Sequence, residues 1–386
     1  MRKICVITGT RAEFGLLSGL MRLIQQSEHT TLQVVATNMH LSERYGSTYR
    51  EIEEAGFAID YKVPMLDESA NDDSTSTLKA MSRALMGFAE AYDALHPELI
   101  VVLGDRYEIL AAVEAALIKQ IPVAHIHGGE LTLGAYDDAI RHSITKMSHL
   151  HFTSTEEYRK RVIQLGEQPQ SVFYVGALGV ENIKHVPLMS KEEIEQNLQF
   201  EITDRTILVT YHPVTLSDSN PLSDINALFE ALDEHSELHV IFTMPNSDTG
   251  GQVIAEAIEQ YAAQHTNRVR AYKSLGMRRY LSVMKYCVAV IGNSSSGILE
   301  TPSFHIPTLN IGSRQDGRIA AESVYNCSTN KDSISAGLEY ILSLEFHAIA
   351  AKSINPYEKD GTAQAIFNVI STYPLDGILQ KKFYDL

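Results

Sequence analysis

Cysteine is scarce in this chain: Cys5, Cys287 and Cys327 are the only three among 386 residues. An odd number in strand-like or mid-chain settings argues against a disulfide framework. It reads as reduced, small core residues, as expected of a cytosolic protein. No apolar run reaches the ~18 residues that a membrane-spanning helix needs, so no span is predicted. Met1–Ile7 runs straight into a strand pattern, and no signal peptide is expected before it. Positive charge is in deficit, with 32 Lys and Arg against 48 Asp and Glu, a net charge of −16. That excludes a general binder of nucleic acid or anionic membranes, and any phosphate ligand must be held by local donors. Short internal repeats and low-complexity tracts are absent. So is a GxGxxG stretch, which disfavours a nicotinamide cofactor.

What is present is an ordinary globular composition, 44% hydrophobic and 21% charged, in a chain too long for one core. Short apolar runs alternate with longer amphipathic stretches. Strands are predicted at 4–8, 32–37, 99–103, 123–126, 150–153 and 172–175. Helices are predicted at 15–26, 76–95, 108–119, 138–147 and 156–165. The pattern restarts beyond residue 200, with strands at 207–211, 238–242, 269–271, 288–291, 307–310 and 324–326. Helices fit between them at 222–235, 251–264, 277–285 and 297–301, and a last one fits at 361–373. Such alternation means βαβ units and parallel sheets covered on both faces. The expected organisation is two Rossmann-like doubly wound domains, 1–178 and 179–364. A final segment, 365–386, is expected to pack back on the first, and the polar run Asp67–Ser76 is expected to be a mobile loop.

Ligands of open parallel sheets bind beyond the carboxyl ends of the strands. Polar clusters lie there. Gly9-Thr10-Arg11 offers a guanidinium fork for a phosphate. Gly104-Asp105-Arg106 is either a cap with an ion pair, or a proton-transfer carboxylate beside a phosphate-binding cation. In His125-Ile126-His127-Gly128-Gly129-Glu130, His125 reads as a buried, satisfied histidine. Metal binding is disfavoured there, and Glu130 is the better general acid or base. Asp137 and Asp138 open a helix where one of them suits an N-cap, with Arg141 and His142 one turn on. His212, pinned by Pro213, reads as a phosphate donor or an acid/base. Asn246 and Asp248 lie in a turn-rich loop, and Arg314 follows the strand predicted at 307–310. The densest cluster is Gly292–Glu300 (GNSSSGILE), straight after a strand. Its small residues let backbone N–H groups face a phosphate, and Glu300 follows at a spacing that reaches a ribose hydroxyl. One anionic ligand in a cleft between the domains accounts for the whole set.

Together GTRAEFG, YGSTYREIE, VVLGDRYEIL, HIHGGELTLGAYDDAIRHSITKMSHLH, HPVT, PNSDTG, IGNSSSGILE and NIGSRQDGR resemble the hydrolysing UDP-N-acetylglucosamine 2-epimerases, over nearly the whole chain. The resemblance implies a GT-B fold with UDP gripped by the C-terminal domain. It implies nucleotide contacts at Arg11, His212, Asn246, Asn293, Ser294, Ser295, Glu300 and Arg314, with Arg106 on the diphosphate or sugar. It makes Asp105, Glu130 and Asp137 catalytic carboxylates alongside His212. Some family members carry Glu at the place of His127, which shifts acid/base work onto Glu130. The implied reaction is UDP-GlcNAc plus water giving UDP and N-acetylmannosamine for sialic acid synthesis. It proceeds through a glycal, without metal or cofactor, in a cytoplasmic homodimer or homotetramer. The same chemistry on UDP-2,4-diacetamido-2,4,6-trideoxyglucose, for legionaminic acid, and a non-hydrolysing epimerase fit the same motifs.

Overall fold

The computed structural model describes every residue except 72, 215, 217–219, 247 and 249. Asp72 of the polar run, Thr215 of HPVT, and Ser247 and Thr249 of PNSDTG therefore lie outside the described residues. The chain divides into two compact units. The first holds Met1–Glu130, Asp137–Asn182 and Tyr357–Leu386; the second holds Leu131–Tyr136 and Ile183–Pro356.

The first unit runs β1 (Arg2–Thr8), α1 (Arg11–Gln26), β2 (Thr30–Thr37), α2 (Tyr49–Glu54), β3 (Tyr61–Val63), α3 (Ser74–Leu95), β4 (Leu99–Leu103) and α4 (Tyr107–Ile118). It continues with β5 (Val123–Ile126), α5 (Asp137–Met147), β6 (Leu150–Thr153), α6 (Glu156–Gln164), β7 (Val172–Tyr174) and the start of α7 (Leu178–His185). Its seven strands lie in the order β3-β2-β1-β4-β5-β6-β7, with every pair parallel. Alternation along β1 sends Ile4 and Val6 into one core and Cys5 and Ile7 into the other. That is why the buried parallel strand reads as an unbroken apolar run. The strand order reverses between β1 and β4, so the loops after those two strands splay apart and open a ligand position.

The second unit runs α8 (Lys191–Leu198), β8 (Thr206–Thr210), α9 (Pro221–Glu234), β9 (His239–Thr243), α10 (Gly251–Gln264), β10 (Val269–Tyr272), α11 (Gly276–Tyr286) and β11 (Ala289–Gly292). After these come α12 (Ser296–Leu299), β12 (Thr308–Ile311), β13 (Val324–Cys327), α13 (Lys331–Ile341) and α14 (Leu344–Ala350). Its parallel order is β10-β9-β8-β11-β12-β13, reversing between β8 and β11. Ile207 and Val209 fill one core and Leu208 the other. The chain then returns to the first unit, where Ile366 and Ile370 of α15 (Thr362–Thr372) are buried beside Leu17 and Leu20 of α1.

The polar run is a loop only in part. Asp73 caps α3, accepting from the Ser76 N–H at 2.7 Å, because Asp and Ser satisfy the free N–H groups of a helix start. Cys5 and Cys287 are buried thiols and Cys327 is half-buried. Burial pushes all three away from the thiolate, Cys327 to about 12.

Candidate active site

In the first unit the candidates gather after β1, β4, β5 and β6. Thr10 caps α1 in a capping box with Glu13, whose Oε2 accepts from the N–H groups of Gly9 at 2.7 Å and Thr10 at 3.2 Å. A Cβ at Gly9 would meet Glu108 Oε1 at 2.6 Å, so the loop packs directly on the Glu108 carboxyl, which a larger residue would have to displace. Burial first, and the Glu108 charge second, push the Glu13 carboxyl well above the usual carboxylate range. Arg11 opens α1 with its Nε 2.5 Å from Glu51 Oε2.

The Asp105–Arg106 dipeptide does not pair internally. Arg106 Nε donates to Glu108 Oε1 at 2.8 Å, whereas Asp105 Oδ2 accepts from Nη2 of Arg141. Arg141, on α5, is only 1% exposed, and its Nη1 donates to the Glu130 carbonyl at 2.9 Å. One planar guanidinium thus ties the turn after β4 to the loop after β5, a geometry that a lysine cannot reproduce. His125 secures the same turn from below. Its Nε2 donates to the Gly104 carbonyl at 2.7 Å, so Nδ1 accepts from the Thr145 hydroxyl at 3.1 Å. Burial pushes this ring down to about 3, which keeps it neutral. Both nitrogens are spent on structure, as expected of a satisfied core histidine.

Glu130 is 2% exposed. Its Oε1 accepts from the Ser154 hydroxyl at 2.7 Å, with His127 Nδ1 at 3.5 Å. His127 has a left-handed backbone, φ +67°, and its N–H donates to the Phe152 carbonyl. Asp137 is buried in the first turn of α5, and Asp138 follows it. Both stand in the first turn of α5, where a carboxylate complements the positive end of the helix.

In the second unit the candidates lie after β8, β9, β11 and β12. Gly292 has φ +129°, and a Cβ there would meet the Thr210 carbonyl oxygen at 2.0 Å, so the two strand ends approach only because this residue is glycine. Asn293 then clasps His212. Its Oδ1 accepts from the His212 N–H at 2.7 Å, and its Nδ2 donates to the His212 carbonyl at 2.8 Å. This amide, expected from sequence to meet nucleotide, serves as a main-chain brace. The Asn246 N–H approaches His212 Nδ1 at 3.3 Å, which puts the proton of the neutral ring on Nε2. The Asn293 carbonyl accepts from Gln315 Nε2 at 2.8 Å and Arg314 Nη1 at 3.3 Å, gathering Arg314 to the same strand ends. Ser294 and Ser295 form the turn into α12, which is only one turn long. Its N–H groups can face an anion singly, but so short an element adds little macrodipole. Tyr280 donates to Ser296 Oγ at 2.9 Å, and Ser296 donates to Glu300 Oε2. Burial raises the Glu300 carboxyl above its ordinary value.

The chain has known relatives. The sequence model described as UDP-N-acetylglucosamine 2-epimerase matches residues 22–371. The chain belongs to that family. A GDP/UDP-N,N'-diacetylbacillosamine 2-epimerase (hydrolyzing) of Campylobacter jejuni is 42% identical over 386 residues, 100% of this chain and 99% of the relative. Polysialic acid biosynthesis protein P7 of Escherichia coli is 38% identical over 389 residues, covering 100% and 98%. The crystal structure of the Neisseria meningitidis UDP-GlcNAc 2-epimerase bound to UDP-GlcNAc superposes with a TM-score of 0.80 at 17% identity, over 95% of this chain and 99% of that one. The fold is therefore GT-B, two Rossmann-like parallel-sheet domains, and the chain is an enzyme of this family.

Two side chains, Ser154 and Gln315, escaped the sequence reading, and so did the partner of Arg141. Ser154 directly follows β6, and the strand-end rule applied to that strand would have found it. Arg141 lies four residues after Asp137 on one helix face, but its partner Asp105 is 36 residues away and leaves no local signal. Gln315 adjoins Arg314, and only the contact with Asn293 reveals its use.

Proposed function

We propose that this protein is a hydrolysing 2-epimerase of a UDP-linked 2-acetamido sugar, releasing UDP and the free 2-epimer. The observation that carries the reading is the pairing of Asp105 and the Glu130 loop through the buried Arg141 guanidinium, which sets two carboxylates on one rigid support. The proton on carbon 2 is not acidic, because no carbonyl adjoins that carbon, so the leaving group must carry much of the load. In the first half the C1–O bond to UDP and the C2–H bond break and a C1–C2 double bond forms. Arg11, Arg314, His212 Nε2 and the N–H groups after Asn293 stabilise charge growing on the diphosphate. One such donor is worth about 3–4 kcal/mol in enzymes of other kinds. Asp105 or Glu130 takes the C2 proton. In the second half hydroxide from water joins carbon 1, and a proton reaches carbon 2 from the opposite face. Two carboxylates in a water-poor site have pKa values driven apart, which suits one acid and one base. Asp137 supports this pair, and Glu300 holds the ribose.

The sugar we assign is N,N'-diacetylbacillosamine, on the strength of the 42%-identical, full-length relative named for it. The 38%-identical relative named for polysialic acid supports a second reading, UDP-GlcNAc giving N-acetylmannosamine for sialic acid. Initial rates on both UDP-sugars, and on the GDP form of the first, decide the matter. The assignment expects kcat/KM at least about tenfold higher for the diacetamido sugar, a discrimination within reach of one pocket contact. Preference for UDP-GlcNAc selects the second reading, and an intact UDP-linked epimer as sole product removes hydrolysis from both.

A further inference from the structure

We infer that Ser154 is a positioning residue for Glu130, holding that carboxyl through both of its protonation states; this rests on the reading of Glu130 as an acid/base. Ser154 is 0% exposed, and its Oγ lies 2.7 Å from Glu130 Oε1. It is rigidly carried, since Thr153 before it ends β6 and Thr155 after it caps α6, accepting from the Tyr158 N–H. The carboxylate's own loop is equally fixed. The His127 N–H bonds to the Phe152 carbonyl of β6, Arg161 of α6 donates to the Gly129 carbonyl, and Arg141 of α5 donates to the Glu130 carbonyl. The charged or titratable groups that hold this loop include His127, Arg141 and Arg161, with Arg141 and Arg161 each donating to a main-chain carbonyl of the loop. At Oε1 the short contact comes from a hydroxyl.

A hydroxyl has a property that a cation lacks. It donates to a carboxylate, and after rotation it accepts from a carboxylic acid. A lysine in its place would pin Glu130 as an anion and oppose proton uptake. Ser154 leaves the carboxyl free to gain and lose a proton while keeping it in one rotamer, which elimination followed by hydration requires.

The test is Ser154→Ala in the full chain. Loss of one donor to a charged group lowers kcat about ten- to hundredfold. KM for the UDP-sugar should stay within about threefold, because uniform binding is untouched. The limb of the pH–kcat profile that Glu130 sets moves up by about one unit, since its carboxylate has lost a donor. In a Glu130→Asp background, where the carboxyl is drawn back from the hydroxyl, Ser154→Ala should cost little more. Ser154→Cys, which keeps a weak donor, should fall between wild type and alanine, and it carries the test if the alanine variant folds poorly. Unchanged kcat, an unmoved limb, or the same fold loss in the Glu130→Asp background each overturns the inference. Glu130→Gln separates the two levels: wild-type turnover in that variant refutes the acid/base reading itself, whatever Ser154 does.

Discussion

Replacing Arg141 by lysine tests the site's construction at its most constrained point. The guanidinium meets Asp105 Oδ2 through Nη2 and the Glu130 carbonyl through Nη1, and it is almost fully buried. A lysine keeps the charge but offers one ammonium, which reaches one of the two acceptors at a time. At least one charge-assisted bond is lost, worth about 1.5–3 kcal/mol. If that bond acts by holding the two carboxylates in register, the loss appears in kcat as about ten- to 150-fold. Steady-state UDP release gives kcat, and calorimetry gives the affinity for UDP. The kcat should fall in that range and UDP affinity should stay within about twofold, because most of the proposed nucleotide contacts belong to the second unit and Arg141 to the first. A kcat within threefold of wild type would refute the reasoning, as would a loss of UDP binding matching the loss of rate.

Asn293→Asp keeps size but turns the Nδ2 donor into a second acceptor facing the His212 carbonyl; a broken bond there costs about 1–3 kcal/mol, so UDP affinity measured by calorimetry should drop about five- to 150-fold. Stability should decline below neutral pH, because burial holds His125 near 3 and His40 and His149 near 4. The unfolded chain takes up these protons below about 6.5 while the folded chain does not, so each histidine removes at most about 2 kcal/mol between pH 6.5 and 5, read by urea denaturation. A flat stability profile over that window contradicts the assignment. Glu13→Gln acts in the opposite direction. The native carboxyl is held above its unfolded value, so wild-type stability is complete below about pH 4.5 and lost as pH rises. The variant should gain on wild type from pH 5 to pH 9 in thermal melts, and an equal gap at both pH values refutes the shift.

How much of this was legible depended on how local the physics is. Buried strands such as β4 and β6 announce themselves as apolar runs, and the sequence places both at their observed bounds. β3 escaped because Tyr61-Lys62-Val63 is a three-residue edge strand with a half-exposed start and a lysine at its centre. α8 escaped because KEEIEQNL buries only Ile194 and Leu198, too few for a clear stripe. The candidate residues themselves were readable, since the strand-end rule needs only the strands. Their partners were not. An Asp–Arg ion pair was one of two readings of the Asp105 turn, and only the fold shows that Asp105 bonds Arg141 and Arg106 bonds Glu108. The family resemblance implied a nucleotide contact at Asn293, and what the sequence did not show is that its amide also clasps the His212 backbone where β8 and β11 pair.

The central claim is that departure of UDP generates a glycal which water then closes, and turnover in heavy water tests it directly. Proton NMR of the free sugar should show one deuterium at carbon 2, inverted configuration there, and one UDP released per sugar. Full turnover with no label at carbon 2 would mean that the C–H bond never breaks, and the account would fail.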